Sequence, residues 1–234
     1  MTDLTTGLII VVITGLLVGM TFLLVFWNKK QRETALRATA SKNGWVLEIV
    51  NEHNASGYRL RKADWTIESL NQTSNSSSDN SNSSTVNSFT RWFSETVRMT
   101  DGIVLIGPHQ PDINFGGLGE MVKQVALRVM IGSEFDSAAG IERVELGSLE
   151  LMARYMVWTN REEIAKKLLD QQVENALRAW PFKLPPVVKF SPAGLEIKYQ
   201  GQRLYKEQDI TALVKLGNTL LDSAYQFEKG KQPG

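Results

Sequence analysis

Side chains able to do acid, base or metal chemistry are few in this sequence. Histidine occurs only as His53 and His109, and cysteine is absent. Without thiols there are no disulfides, thiolate metal sites or cysteine nucleophiles. Neither histidine has another histidine or a carboxylate at metal-ligand spacing. His109, between Pro108 and Pro111 and beside Asp112, could be a general base with an orienting acid. In a proline-bounded turn the same pair reads better as an exposed loop histidine. Residues Asn114 to Glu120 (NFGGLGE) lack both the Walker spacing with its lysine and the dinucleotide G-x-G-x-x-G, and no G-x-S-x-G elbow occurs. Three glycines before a possible helix could offer amides to an anion, but a flexible connection is the simpler reading. Asp101, Glu134 and Asp136 do not alternate as calcium ligands do. Five of the six tryptophans fall in strand or helix patterns that bury aromatics anyway. No catalytic, cofactor or metal site is expected, and the chain is read as a non-enzyme. With 26 basic against 25 acidic residues it also lacks the basic excess of a nucleic-acid binder.

The strongest chemical signal is solvation. Gly7 to Trp27 is a run of 21 positions without a charge, rich in Leu, Ile and Val. As a helix it reaches about 31 Å, the thickness of a hydrocarbon core. A cleaved signal peptide fits poorly, because Asp3 and no Lys or Arg precede the run and no small-x-small site follows it. Residues 1–28 are therefore expected to be a retained single-pass anchor. Lys29, Lys30, Arg32 and Arg37 follow the run, whereas the short tail before it has no basic side chain. The positive-inside rule then places the N-terminus outside and the domain in the cytoplasm, at the inner membrane. Trp27, Lys29, Lys30 and Arg32 are the expected membrane-interface residues. Gly15 and Gly19 form a GxxxG pair that could bring in a second helix, from another copy or another subunit.

These residues need elements to hold them. Glu33 and Arg37 are an i,i+4 pair among good helix formers, and Asn43-Gly44 reads as a C-cap, so residues 29–44 are expected to continue the helix as a stalk clear of the membrane. A domain over residues 45–230 follows. Trp45–Val50, Tyr58–Arg61 and Trp65–Leu70 read as an antiparallel meander. Residues 71–89, almost all Ser and Asn, read as a disordered loop, and the sequons at Asn75 and Asn82 within it arise readily in such a tract. Thr90–Met99 and Ile103–Ile106 resume the sheet, the second as a central strand. Val125–Ile131 suits helix or strand. Met152–Thr159 reads as a strand, and Asn160 with Glu163 as a capping box opening a helix that bends near Asp170. Val187–Phe190 and Leu195–Tyr199 form a hairpin. The stripe Ile210, Leu213, Gly217, Leu220, Ala224, Phe227 is a helix face packed on the sheet.

The segment Arg128 to Asp136, then Tyr155 to Asn160 running into Glu162–Leu169, resembles bacterial single-pass membrane-anchored proteins with an α+β domain of unknown function. The resemblance spans about residues 45 to 227, apart from the extra segment Ser137 to Met152. It implies an architecture and no catalytic residues. The expected fold is α+β: a transmembrane helix, a largely antiparallel sheet, a mid-domain helix and a packed C-terminal helix. The expected function is that of a non-enzymatic membrane-anchored accessory or scaffold protein, such as a small subunit of a bacterial membrane protein complex. The alternative is a membrane-tethered sensor or binding module for a lipid headgroup or small ligand.

Overall fold

The structure, a computed structural model, describes residues 2–78, 81–100, 102–109, 125, 127–128, 130–131 and 140–229. Within these ranges the side chains of 2–13, 74–78, 81–84 and 227–229 lie outside the description. The first element, α1 (Thr2–Asn43), is one unbroken helix of 42 residues, about 63 Å long. It ends as expected, with Gly44 at φ 66 and the Trp45 amide donating to the Ala40 carbonyl at 2.8 Å.

The last turns of α1 do not form a stalk standing clear. Leu36, Thr39 and Ala40, on one helix face, are buried in the domain core. Lys42 closes this end with a 2.7 Å ion pair to Glu207. The apolar pair Leu36 and Ala40 lies at i,i+4, so docking removes a stripe that a free stalk would leave wet. This end of α1 is thus part of the domain core.

The sheet has nine strands: β1 (Val46–Asn51), β2 (Ala55–Lys62), β3 (Trp65–Ser78), β4 (Ser81–Ser94), β5 (Val104–Pro108), β6 (Glu142–Val144), β7 (Tyr155–Thr159), β8 (Val187–Ser191) and β9 (Gly194–Gln200). Their order is β1-β2-β3-β4-β9-β8-β5-β7-β6, and every neighbouring pair is antiparallel. The meander, the hairpin and the interior position of β5 follow the sequence reading. The loop expected over 71–89 does not: β3 and β4 stay paired from Thr66↔Phe93 out to Ser78↔Ser81. Ladder hydrogen bonds are made by the backbone, so once Ile67 and Leu70 against Trp92 and Phe89 fix the register, Ser and Asn can extend it.

One face of the sheet carries the main core. Leu60, Ile67, Trp92, Ile197 and Val188 are fully buried there. Among the described residues the sheet is accompanied by α2 (Leu149–Met152), α3 (Glu162–Leu168), α4 (Gln171–Arg178) and α5 (Glu207–Lys229), besides the helical residues between 125 and 131. Of the C-terminal stripe, Ile210, Leu213, Leu220 and Ala224 are buried, and the side chain of Phe227 lies outside the description. Gly217 sits directly on Trp92: a Cβ there would meet the indole Cε2 at 2.4 Å. The other face has a smaller cluster, in which Leu105, Met156 and Trp158 pack with Leu127 and Ile131. Residues 125, 127, 128, 130 and 131 are helical, which decides that segment in favour of helix where it is described.

The expected capping box is absent. Asn160 turns back to the sheet, its Oδ1 accepting from the Ile103 amide at 2.9 Å, and Thr159 Oγ1 donates to the Ile103 carbonyl at 2.8 Å. Arg161 takes the N-cap position of α3 without a side-chain cap bond. The bend at Asp170 is a full break. Its carboxylate caps α4 by accepting from the Gln172 and Val173 amides, each at 2.8 Å, and accepts from the Ser223 hydroxyl of α5 at 3.0 Å.

Across the second face, Glu48, Arg59, Glu68, Arg91, Glu196 and Lys189 alternate in sign over six adjacent strands, β1 through β8 in sheet order. Successive members pair at 3.3, 2.9, 2.7, 3.7 and 3.0 Å. Any one-residue slip of these strands would put each charge on the apolar face, so the ladder reinforces the register.

Candidate functional site

Beyond Gln200 the chain crosses the inner face of β2–β4 before entering α5. This crossing is pinned at three points. Thr90 Oγ1 donates to the Gln202 carbonyl at 3.2 Å and accepts the Leu204 amide at 3.1 Å. The buried Tyr58 hydroxyl donates to the Leu204 carbonyl. Leu204 is buried, and its neighbours Arg203 and Tyr205 stand against α1. Desolvation holds the Tyr58 phenol far above its ordinary pKa, so at neutral pH it is a neutral donor.

Between this crossing, α1 and the β1–β2 edge lies a cavity of about 460 Å³. Its α1 wall is Val25, Asn28, Lys29, Arg32, Glu33 and Leu36, a spacing that lies on one helix face. Ile49, Val50, Asn51, Ser56 and Gly57 close the sheet side. Gly57 makes room: a Cβ there would lie 2.0 Å from the Ser69 carbonyl oxygen and 3.0 Å from the Arg203 guanidinium. A second cavity of about 670 Å³ lies along the same helix, bounded by Ala35, Lys42, Lys206 and Asp209. Arg32, Arg203 and Tyr205 line both cavities.

Three cations converge here from two distant parts of the chain. The guanidinium groups of Arg32 and Arg203 lie 5.0 and 4.8 Å from the centre of the Tyr205 ring. Lys29 lies one turn before Arg32 on the same face. Among the described residues none of the three has an ion-pair partner. Glu33, the acid on this wall, is taken by Arg37 at 2.7 Å. The Arg203 Nε is buried without a hydrogen-bond partner. The arrangement can accept a compact anion through guanidinium and ammonium donors, with Asn28, Asn51 and Ser56 as neutral partners.

The expected interface residues divide between surfaces. Lys29 and Arg32 face the cavity, while Lys30 lines neither cavity and Trp27 is exposed. Gly15 and Gly19 face open space, with nothing within 4 Å of a Cβ built at either. His53 is exposed. His109 is exposed too, its amide donating to the Arg154 carbonyl at 2.7 Å. Asp101, Asp112, the glycine-rich segment 114–120, Glu134 and Asp136 lie outside the described residues. No cluster of metal-ligating side chains occurs among the described residues. Arg203, Tyr205 and Gly57 were missed from sequence, because an Arg-x-Tyr between a strand and a helix has no spacing signature of its own.

Among the described residues no helix is long and apolar enough to cross a membrane. The run expected to do so begins at Gly7, and its side chains before Thr14 lie outside the description. What is described of it is apolar and open: Leu16, Leu17, Val18, Met20 and every residue from Phe22 to Trp27 are 49–72% exposed.

No protein-family model matches the chain, and no curated protein matches it in sequence. Among solved structures, the crystal structure of the mycobacterial trehalose monomycolate transport factor A, TtfA, is similar at 8% identity and a TM-score of 0.41, over 82% of this chain and 93% of that one. That likeness is too slight to fix a fold or a function for this chain. What the structure does establish is a mixed domain, helices on an antiparallel sheet, with a helix at each end.

Proposed function

We propose that this chain is a non-enzymatic accessory protein anchored in a bacterial inner membrane, its domain held in the cytoplasm against the bilayer surface. One observation carries the reading. The helix that presents an exposed apolar surface from Leu16 to Trp27 is the same unbroken helix that buries Leu36, Thr39 and Ala40 in the domain. Exposed apolar patches of this extent are covered in nature by another protein or by lipid. Here the patch extends all round the helix, which suits lipid better than a one-sided partner groove. Because the docked turns start about 14 Å beyond Trp27 along the axis and the headgroup layer is about 5–8 Å deep on each side, the domain core stands just outside that layer.

The test uses the full chain expressed in bacterial cells. It is expected to stay with the membrane through an alkaline carbonate wash and to float with lipid in a density gradient. Replacing Leu17 and Leu24 together by Arg should release it, since each Arg at a helix centre costs about 2.5–3.5 kcal/mol of insertion. Release of the unaltered chain by the wash would refute the anchor. For the accessory role, mild detergent should bring down a stoichiometric membrane partner, and a lone monodisperse monomer would count against it.

A further inference from the structure

The geometry points to a binding site for a phosphate-bearing anion in the cleft between α1 and the Gln202–Lys206 crossing, with Arg32 and Arg203 as its principal ligands. Lys29 is the third cation. The inference rests on the membrane reading only for the source of the phosphate, which that reading makes a lipid headgroup.

Four observations converge. Arg32 and Arg203 come from opposite ends of the chain, yet both rest on the Tyr205 ring. Holding two like charges together without a carboxylate between them is unfavourable unless something anionic completes the site. Of the carboxylates lining the two cavities, Glu33 is engaged by Arg37 and Glu207 by Lys42, and Asp209 makes no ion pair with either arginine. Secondly, both guanidinium groups lie over the Tyr205 ring and neither has an ion-pair partner among the described residues, which leaves N–H donors for phosphate oxygens. The buried Arg203 Nε has no partner in the protein. Thirdly, the cavity of about 460 Å³ is of small-ligand size. Lastly, Val25 of the apolar run lines the same cavity as Lys29 and Arg32. The site therefore opens at the level where acyl chains give way to headgroups, about 6 Å along the axis from Val25 to Lys29. A phospholipid could leave its tails beside Val25 and place its phosphate on the arginines. Thr90 and Tyr58 hold the crossing, and with it Arg203, in place; Tyr58 also lines the cavity, its hydroxyl already donating to the Leu204 carbonyl.

The experiment titrates the full chain, in an uncharged detergent, with dioctanoyl phosphatidylglycerol, glycerol 3-phosphate and inorganic phosphate in separate arms. Bound ligand is counted by native mass spectrometry. One phosphatidylglycerol per chain is expected at saturation, weakened about tenfold or more in Arg32→Gln and in Arg203→Gln. Lys30→Gln, off the cavity, should bind as the unaltered chain does. Circular dichroism of each variant checks the fold, and because the two arginines lie on separate elements, a folding defect in one leaves the other as the test. Glycerol 3-phosphate binding at equal affinity, with the same dependence on both arginines, would uphold the phosphate site and assign it a soluble ligand. The proposal is overturned if no arm binds, if both arginine variants bind normally, or if Lys30→Gln weakens binding as much. Loss of the protein in the carbonate wash, with binding retained here, would sink the membrane reading and leave the site standing.

Discussion

Replacing Gly217 by Ala tests how closely α5 is seated on the sheet. The added methyl would lie 2.4, 2.6 and 2.7 Å from Cε2, Cδ2 and Cζ2 of Trp92. Carbon atoms sit comfortably at about 3.5–4.0 Å, so helix and ring must part by about 1 Å. Neither can yield easily. Trp92 is fully buried, with the Trp65 ring 6.4 Å away on the same core face. Two effects oppose each other. Alanine gains about 1 kcal/mol over glycine in a helix interior, whereas overpacking a filled core costs about 1–3 kcal/mol. A contact between rigid backbone and a rigid indole belongs near the upper end, so the net loss should be about 1–2 kcal/mol. For a domain of this size that is a fall of about 2–8 °C in midpoint. Thermal unfolding of the full chain in detergent, followed by near-ultraviolet circular dichroism of the tryptophans, reads it directly. A rise in midpoint, as helix propensity alone would give, would show that α5 does not touch Trp92 and that the packing described is wrong.

Asp170→Ala removes the cap of α4 and one of the two acceptors of the Ser223 hydroxyl, the Leu168 carbonyl remaining. A loss of about 1–2 kcal/mol is expected in urea unfolding with an unchanged slope, and no shift in midpoint would refute the capping role. Glu68→Gln takes the acid from between Arg59 and Arg91. Stability should fall by about 1 kcal/mol in low salt and less at high salt, and a salt-independent effect would argue against the ladder. Burial holds the Tyr58 and Tyr155 phenols well above the ordinary tyrosine range. In the unfolded chain they ionise near pH 10, so their contribution is complete below that pH and is lost as pH rises above it. Tyrosinate absorbance from these two should appear only as the fold opens; their ionisation in a fold still intact would contradict the burial.

Much of the fold could be read from the sequence where side-chain periodicity and burial agree. β9 shows it: Leu195, Ile197 and Tyr199 alternate with Glu196 and Lys198, and the structure buries the first set. The α5 stripe was legible for the same reason. Two features were not, because backbone or tertiary partners decide them. The Ser/Asn tract pairs through its backbone, and Asn160 prefers the Ile103 amide to the helix that its spacing fits. At the candidate site, Lys29 and Arg32 were visible as a basic flank, but as membrane contacts. That they turn inward toward Arg203 depends on docking of Leu36 and Ala40, a contact between residues separated by most of the chain. The charge ladder was missed for a similar reason: each of the six strands supplies a single member, and only the sheet order aligns their signs.

The absence of cysteine permits a direct test of the central claim, that α1 crosses the bilayer and holds the domain on its cytoplasmic side. Single cysteines placed at Thr2 and at Lys62, in the full chain, can be challenged with a membrane-impermeant maleimide on intact spheroplasts and again after lysis. Cys at position 2 should label in intact spheroplasts, and Cys at position 62 only after lysis. Labelling of position 62 from outside, or recovery of both variants in the soluble fraction, would contradict the claim.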